Sequence, residues 1–159
     1  MNKIRIKPLL FWVLVTIGTG ALSYAVTAGA MKGYDEAVKP PLSPPDALFP
    51  IVWTVLFLLM GISAYLVWTA DARNLTARNR AILLYCLQLA VNFFWPVIFF
   101  NAGAYLAALL WLILLDVLVV MTVIAFRRIR RSAALLNLPY LIWLAFATYL
   151  NAGVWYLNK

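Results

Sequence analysis

Hydrophobic and polar positions alternate along this chain in long blocks. Five apolar runs are separated by shorter segments that are rich in charge, proline or glycine. A helix of about 20 apolar residues spans the hydrocarbon core of a bilayer. The pattern therefore predicts an all-α membrane bundle of five transmembrane helices, near residues 8–30, 48–69, 80–101, 104–126 and 133–157.

The longest connection, 31–47, is rich in proline. Pro40 and Pro41 are followed by a second pair, Pro44 and Pro45. Proline lacks the amide donor and disfavours helix in the residue before it. We expect an irregular or extended loop that could serve as a lid over one end of the bundle.

Composition leaves little room for a second domain. The chain has 159 residues, of which 66% are hydrophobic and 11% are charged, and its mean hydropathy is +0.93. A soluble domain carries about 25% charged residues. Because the five runs use most of the chain, we expect one transmembrane domain, residues 1–159, and no separate soluble domain.

The net charge of +8 raises the question of nucleic-acid binding, and the charge distribution argues against it. With five spans, ten of the 13 Lys and Arg residues fall on the side of the N-terminus. Such a bias marks the cytoplasmic side of a membrane protein. We expect a cytoplasmic N-terminus, an external C-terminus, a basic face against anionic lipid headgroups, and a bacterial cell membrane as the location.

Several absences argue against conventional catalysis. The chain has no histidine, which is the usual general base and metal ligand. No cluster of Cys, Asp or Glu has metal-site spacing, and the seven glycines form no phosphate-binding loop. We therefore expect no metal site and no hydrolytic centre.

Amides and aromatic residues share one face of the third run. Tyr85, Gln88, Asn92, Trp95 and Phe99 are separated by three or four residues, which is the helical period. Buried amides in a membrane need partners. The stripe therefore either packs against another helix through interhelical hydrogen bonds or faces a ligand, and the pattern leaves both interpretations open.

Two other runs carry similar faces. Trp53 and Phe57 share a face of the second run, and Trp143 and Ala147 share a face of the fifth, with Asn151 at its edge. The predicted topology brings these residues to the outer half of the membrane, with Trp143 near mid-depth. We expect a site there for a flat hydrophobic molecule, beneath the proline-rich loop.

Other residues fit structural roles. Trp12, Trp68 and Trp155 lie towards the ends of their runs, where tryptophan is more often an interfacial anchor. Ala21, Ala25 and Gly29 form a stripe of small residues that permits close helix approach within a protomer or across a dimer.

Asp116 lies in the middle of the fourth run, where a carboxylate is expensive. A structural or dimer-interface role is favoured there over a proton or substrate path.

Three segments carry a family resemblance: Lys39-Pro40-Pro41-Leu42-Ser43-Pro44-Pro45 through Trp53, Asn92-Phe93-Phe94-Trp95-Pro96 through Phe100, and Pro139-Tyr140-Leu141-Ile142-Trp143 through Asn151. Their order and spacing resemble the tryptophan-rich sensory protein family, which includes the mitochondrial translocator protein, the former peripheral benzodiazepine receptor. The resemblance covers the whole chain.

The resemblance implies a five-helix protein, often a homodimer, with a pocket under the first loop. That pocket would accept protoporphyrin IX, haem or another tetrapyrrole, and isoquinoline carboxamide drugs. No cofactor is required. Combining the resemblance with the helical faces, the candidate ligand-binding residues are Trp53, Phe57, Asn92, Trp95, Phe99, Trp143, Ala147, Asn151, Pro44 and Pro45.

Two features of the chain qualify the resemblance. Leu42 stands where the family usually has tryptophan, so the lid lacks an aromatic residue. The C-terminal residues 154–159 fit the loose sterol-contact pattern, which makes a sterol a weaker candidate ligand. The expected function is a receptor or sensor for porphyrins; the alternatives are a transporter of small hydrophobic molecules and a light-dependent porphyrin-degrading enzyme.

Overall fold

The computed structural model of the protein describes residues 4–30, 37–71 and 75–159. Within those ranges, five helical segments are long and apolar enough to cross a membrane, and no β-strand is present. The predicted all-α bundle is therefore confirmed. Residues 31–36 of the predicted loop lie outside the described residues.

The helices follow the apolar runs closely. The first, second and third spans are α1 (Ile6–Thr27, followed by a 3₁₀ turn at Ala28–Ala30), α2 (Leu48–Trp68) and α3 (Leu75–Pro96, followed by a π-helical turn at Val97–Asn101). The fourth is α4 (Tyr105–Ile129), and the fifth is divided into α5 (Arg131–Leu136) and α6 (Leu138–Leu157). The third span begins at Leu75, earlier than the predicted 80.

Two prolines shape the spans. Pro96 is the last residue of α3, and the chain continues as a π-helical turn because proline offers no amide hydrogen to the preceding turn. Pro139 lies in the first turn of α6, where its missing donor costs nothing. The break before it is at Asn137, whose side chain donates to Ala133 O at 3.0 Å and to the Ser63 hydroxyl of α2.

The helices pack as a bundle in which α1 lies close against α2, and α4 packs against both α3 and α6. Gly61 of α2 permits the first approach, because a Cβ built on it would lie only 2.8 Å from the Val13 Cα atom of α1. The centre of the bundle is fully buried and includes Met60 and Ala64 of α2 and Leu144 of α6.

Hydrogen bonds join the helices inside this apolar core. The Thr16 and Tyr85 hydroxyls, on α1 and α3, are 2.5 Å apart, and Trp111 Nε1 of α4 donates to Val91 O at 2.8 Å. Trp12 differs from the expected interfacial anchor. It is buried against Trp68 and Tyr85, with ring centroids 5.7 and 5.8 Å away, because the first part of α1 packs onto the end of α2 and the middle of α3.

Candidate functional site

Aromatic rings fill the contact between α2 and α6. Trp53 meets Tyr140 with ring centroids 6.1 Å apart, and Phe49 meets Trp143 at 5.9 Å, both in edge-to-face geometry. We call these four residues the aromatic seam. Tyr140 is buried, whereas the other three rings are half-buried. The seam therefore presents ring surface that the protein itself does not cover fully.

Further rings extend the seam at both ends. Phe57 lies beside Trp53, with centroids 5.4 Å apart, and its ring covers Gly20 of α1, where any side chain would collide with it. Phe146 lies 5.6 Å from Trp143. Ala147, a candidate ligand-binding residue, is buried on the same helix.

The amides of α3 hold Tyr140 in place. Asn92 Nδ2 donates to the Tyr140 hydroxyl at 2.7 Å, and that hydroxyl donates to Gln88 Oε1 at 3.2 Å. All three side chains are buried. Of the two interpretations of the α3 stripe, the contacts of Asn92 and Gln88 match helix-to-helix packing, and they fix the orientation of a seam residue.

Trp95, Phe99 and Asn151 form a second cluster, directed towards α4. Trp95 Nε1 donates to Asn151 Oδ1 at 3.1 Å, and Asn151 Nδ2 donates to Tyr105 O at 2.9 Å. Trp95 stacks on Phe99 with centroids 5.1 Å apart, and Phe99 contacts the Tyr105 ring. The predicted site residues are thus divided between the seam and this α3–α4–α6 cluster.

The described part of the proline-rich loop is fastened to α6. Asn158 exchanges two hydrogen bonds of 2.9 Å with the backbone N–H and C=O of Val38. The Tyr149 hydroxyl donates to Pro41 O at 2.9 Å. Pro44 is half-buried and Pro45 is exposed, so the loop is held by its first residues rather than by the second proline pair.

A chain of rings connects the loop with the seam. Tyr149, which binds Pro41, stacks on Phe146 with centroids 6.2 Å apart, and Phe146 contacts Trp143. Leu42 projects outward, 79% exposed, with a φ of 68°. The position that differs from the family pattern therefore makes no ring contact with the seam.

Sequence reasoning did not single out several residues of this region: Phe49, Tyr140, Phe146, Tyr149 and Asn158. The sequence pattern could have indicated Tyr140, because Tyr140, Leu144, Ala147 and Asn151 are spaced by three or four residues and share a helical face. No sequence pattern indicates the role of Asn158, since its hydrogen-bond partner Val38 lies 120 residues away in the chain.

The fold and these clusters define a class: an integral membrane protein with a tryptophan-rich helical bundle. Comparison with known proteins makes this specific, since the TspO/MBR family matches residues 11–157. The chain belongs to the TspO/MBR family.

Bacterial and animal proteins are among the named relatives. The chain is 41% identical to the tryptophan-rich protein TspO of Chlorobaculum tepidum over 79% of this chain and 78% of that protein. It is 36% identical to the human translocator protein over 91% of this chain and 86% of the relative. It is 33% identical to the tryptophan-rich sensory protein of Cereibacter sphaeroides over 92% of each.

Proposed function

We propose that this protein is a membrane receptor or sensor that binds porphyrins, such as protoporphyrin IX or haem, at the aromatic seam. The observation that carries the proposal is the half-buried state of Phe49, Trp53 and Trp143 where α2 and α6 meet through rings. Edge-to-face rings leave parts of their faces available, and a flat macrocycle offers a large surface on which indoles can stack.

The surroundings of the seam suit this role. Satisfied amides fix Tyr140 from the α3 side, so one wall is organised before a ligand arrives. The loop is held across the end of α6 by Asn158 and Tyr149, through hydrogen bonds that can break without disturbing the helices. The names of the relatives, a sensory protein and a translocator protein, agree with ligand recognition in a membrane.

A porphyrin titration tests the proposal. Purified protein in detergent is titrated with protoporphyrin IX, and saturable quenching of tryptophan fluorescence reports binding. Loss of one stacked aromatic ring costs about 1–3 kcal/mol, so Trp53→Ala and Trp143→Ala should each weaken binding roughly 5- to 150-fold. Trp155→Ala is the matched control, because Trp155 is half-buried near the end of α6 and outside the seam.

The outcomes separate the seam from general hydrophobic adsorption. Binding that is weakened by the two seam variants and unchanged in the control supports the proposal. Equal weakening in all three variants, or quenching that never saturates, overturns it.

Transport is the second candidate function, and the name of the human relative favours testing it. Protein reconstituted into sealed vesicles should then move porphyrin inward, faster than vesicles containing the Trp143→Ala variant. The same samples can be illuminated. A light-dependent loss of porphyrin absorbance that requires Trp143 would support the enzymatic alternative instead.

We also infer a homodimer. Ala21 and Ala25 of α1 and Gly29 of the following 3₁₀ turn are exposed, and nothing lies within 4 Å of a Cβ built on Gly29. Small residues at a lipid-facing surface permit close contact between two helices. Gly29→Leu should shift the detergent-solubilised protein from dimer to monomer in multi-angle light scattering, and an unchanged mass would exclude α1 as the interface.

A further inference from the structure

Asp116 is an acidic residue inside a membrane span. It lies within α4, far from either end of Tyr105–Ile129, and is half-buried. Its Oδ2 atom accepts a hydrogen bond from the Thr148 hydroxyl of α6 at 2.7 Å. Its Oδ1 atom is buried and has no hydrogen-bond partner among the described residues.

The apolar runs offer no cation to balance this carboxylate. No Lys or Arg occurs between Arg80 and Arg127 or between Arg131 and Lys159, and the chain has no histidine. Helices α3, α5 and α6 are the ones that pack closely against α4. The titratable side chains on these three helices are Arg78, Arg80, Tyr85, Cys86, Arg131, Tyr140, Tyr149 and Tyr156. Their arginines lie in the first two turns of α3 and at the start of α5, far along the chain from Thr148.

A carboxylate in this position would carry an uncompensated charge. Burying a charge without a counter-ion or a full set of hydrogen bonds is strongly unfavourable, and in a membrane the penalty is among the largest that a side chain can incur. A neutral carboxylic acid avoids that penalty. In the neutral acid, Oδ2 is the carbonyl oxygen that accepts the hydrogen bond from Thr148, and Oδ1 carries the proton, so only this one hydroxyl group is left unpaired among the described residues.

We propose that Asp116 is a proton-binding site within the membrane, occupied at neutral pH. The bound proton keeps the carboxyl group neutral, and the hydrogen bond to Thr148 joins α4 to α6. Release of the proton leaves a charge that the apolar surroundings do not stabilise. Thr148 follows Ala147 directly on the helix that supplies Tyr140 and Trp143 to the seam.

The sequence makes the site unusually easy to observe. The chain has five acidic residues, and the other four, Asp35, Glu36, Asp46 and Asp71, lie outside the apolar runs. Infrared spectroscopy detects a protonated carboxyl group by its carbonyl stretch, which is separate from the bands of a carboxylate, and the loss of such a band in Asp116→Asn assigns it to Asp116.

The experiment compares full-length protein reconstituted in lipid bilayers: the native chain, Asp116→Asn and Thr148→Val. We expect a protonated-carboxyl band in the native protein at neutral pH, its loss in Asp116→Asn, and its loss on strong alkalinisation. In Thr148→Val the band should remain but move to higher frequency, because the carbonyl group loses a hydrogen bond. This second variant retains the acid and does not depend on the folding of the first.

Two results would overturn the proposal. One is a native spectrum that contains no protonated-carboxyl band at neutral pH. The other is a band that persists in Asp116→Asn, which would assign it elsewhere. A band that Thr148→Val leaves at its original frequency would remove Thr148 from the site. None of these outcomes depends on porphyrin binding, so the test of Asp116 is independent of the function proposed for the seam.

Discussion

The close contact of α1 with α2 should be sensitive to a single methyl group at Gly61. A Cβ atom at this position would lie 2.8 Å from Val13 Cα, 3.1 Å from Trp12 O and 3.2 Å from Val13 N. Non-bonded carbon atoms prefer about 3.5–4.0 Å. All three neighbours belong to the backbone, so no side-chain rotation relieves the overlap, and α1 must move away by roughly 1 Å.

We therefore expect Gly61→Ala to destabilise the protein. Overpacking of a well-packed core costs about 1–3 kcal/mol, and each 1.4 kcal/mol is about a tenfold change in the unfolding equilibrium. Gly18→Ala is the matched control on α1, because nothing lies within 4 Å of a Cβ built there. The control should leave stability unchanged or raise it by up to about 1 kcal/mol, since alanine favours helix over glycine.

Equilibrium unfolding in mixed micelles, followed by circular dichroism as the denaturing detergent fraction is raised, measures the difference. A Gly61→Ala midpoint equal to that of the native chain would refute the close approach of α1 and α2. Equal losses in both variants would show instead that the effect comes from glycine substitution in general and not from this contact.

Three further predictions concern the seam and the loop. Tyr140→Phe removes the hydroxyl that accepts from Asn92. We therefore expect the free energy of unfolding to fall by about 1–3 kcal/mol in the same assay, and unchanged stability would contradict the buried hydrogen-bond network. Asn158→Ala removes both hydrogen bonds to Val38, each worth about 1 kcal/mol, so limited proteolysis should cut the loop roughly 30-fold faster. Equal cleavage of the native and variant proteins would show that these two bonds do not hold the loop. Leu42→Gly should raise the free energy of unfolding by about 0.5–1 kcal/mol, because glycine adopts the observed φ of 68° without steric strain from a side chain. A lower thermal midpoint of the variant would argue against that backbone conformation.

Some of the site could be anticipated from the sequence. The candidate residues Trp53, Phe57 and Trp143 lie in or beside the seam, and helical spacing placed each on a face with its neighbours. Asn92 was recognised as a buried amide that needs a partner, and Asn151 as a candidate ligand-binding residue, but the sequence did not place them in two different clusters. Periodicity identifies the face of a helix and says nothing about which other helix lies opposite.

The five spans are a property of the sequence alone. A membrane interior offers no water to backbone groups, so any apolar run of sufficient length must close its own hydrogen bonds as a helix. Run length and the prolines therefore defined the elements. The fifth span is interrupted at Asn137, and the sequence showed only the proline that follows it.

Only the tertiary structure decided which side chains meet. Trp12 had the position of an interfacial anchor, yet it is buried against Trp68 and Tyr85. Asp116 had an unusual position, but only the fold paired it with Thr148 and left its second oxygen unpaired. The physical reason is that lipid is as apolar as the helices, so helix association depends on shape and polar pairing rather than on hydrophobicity, and neither can be read from one helix at a time.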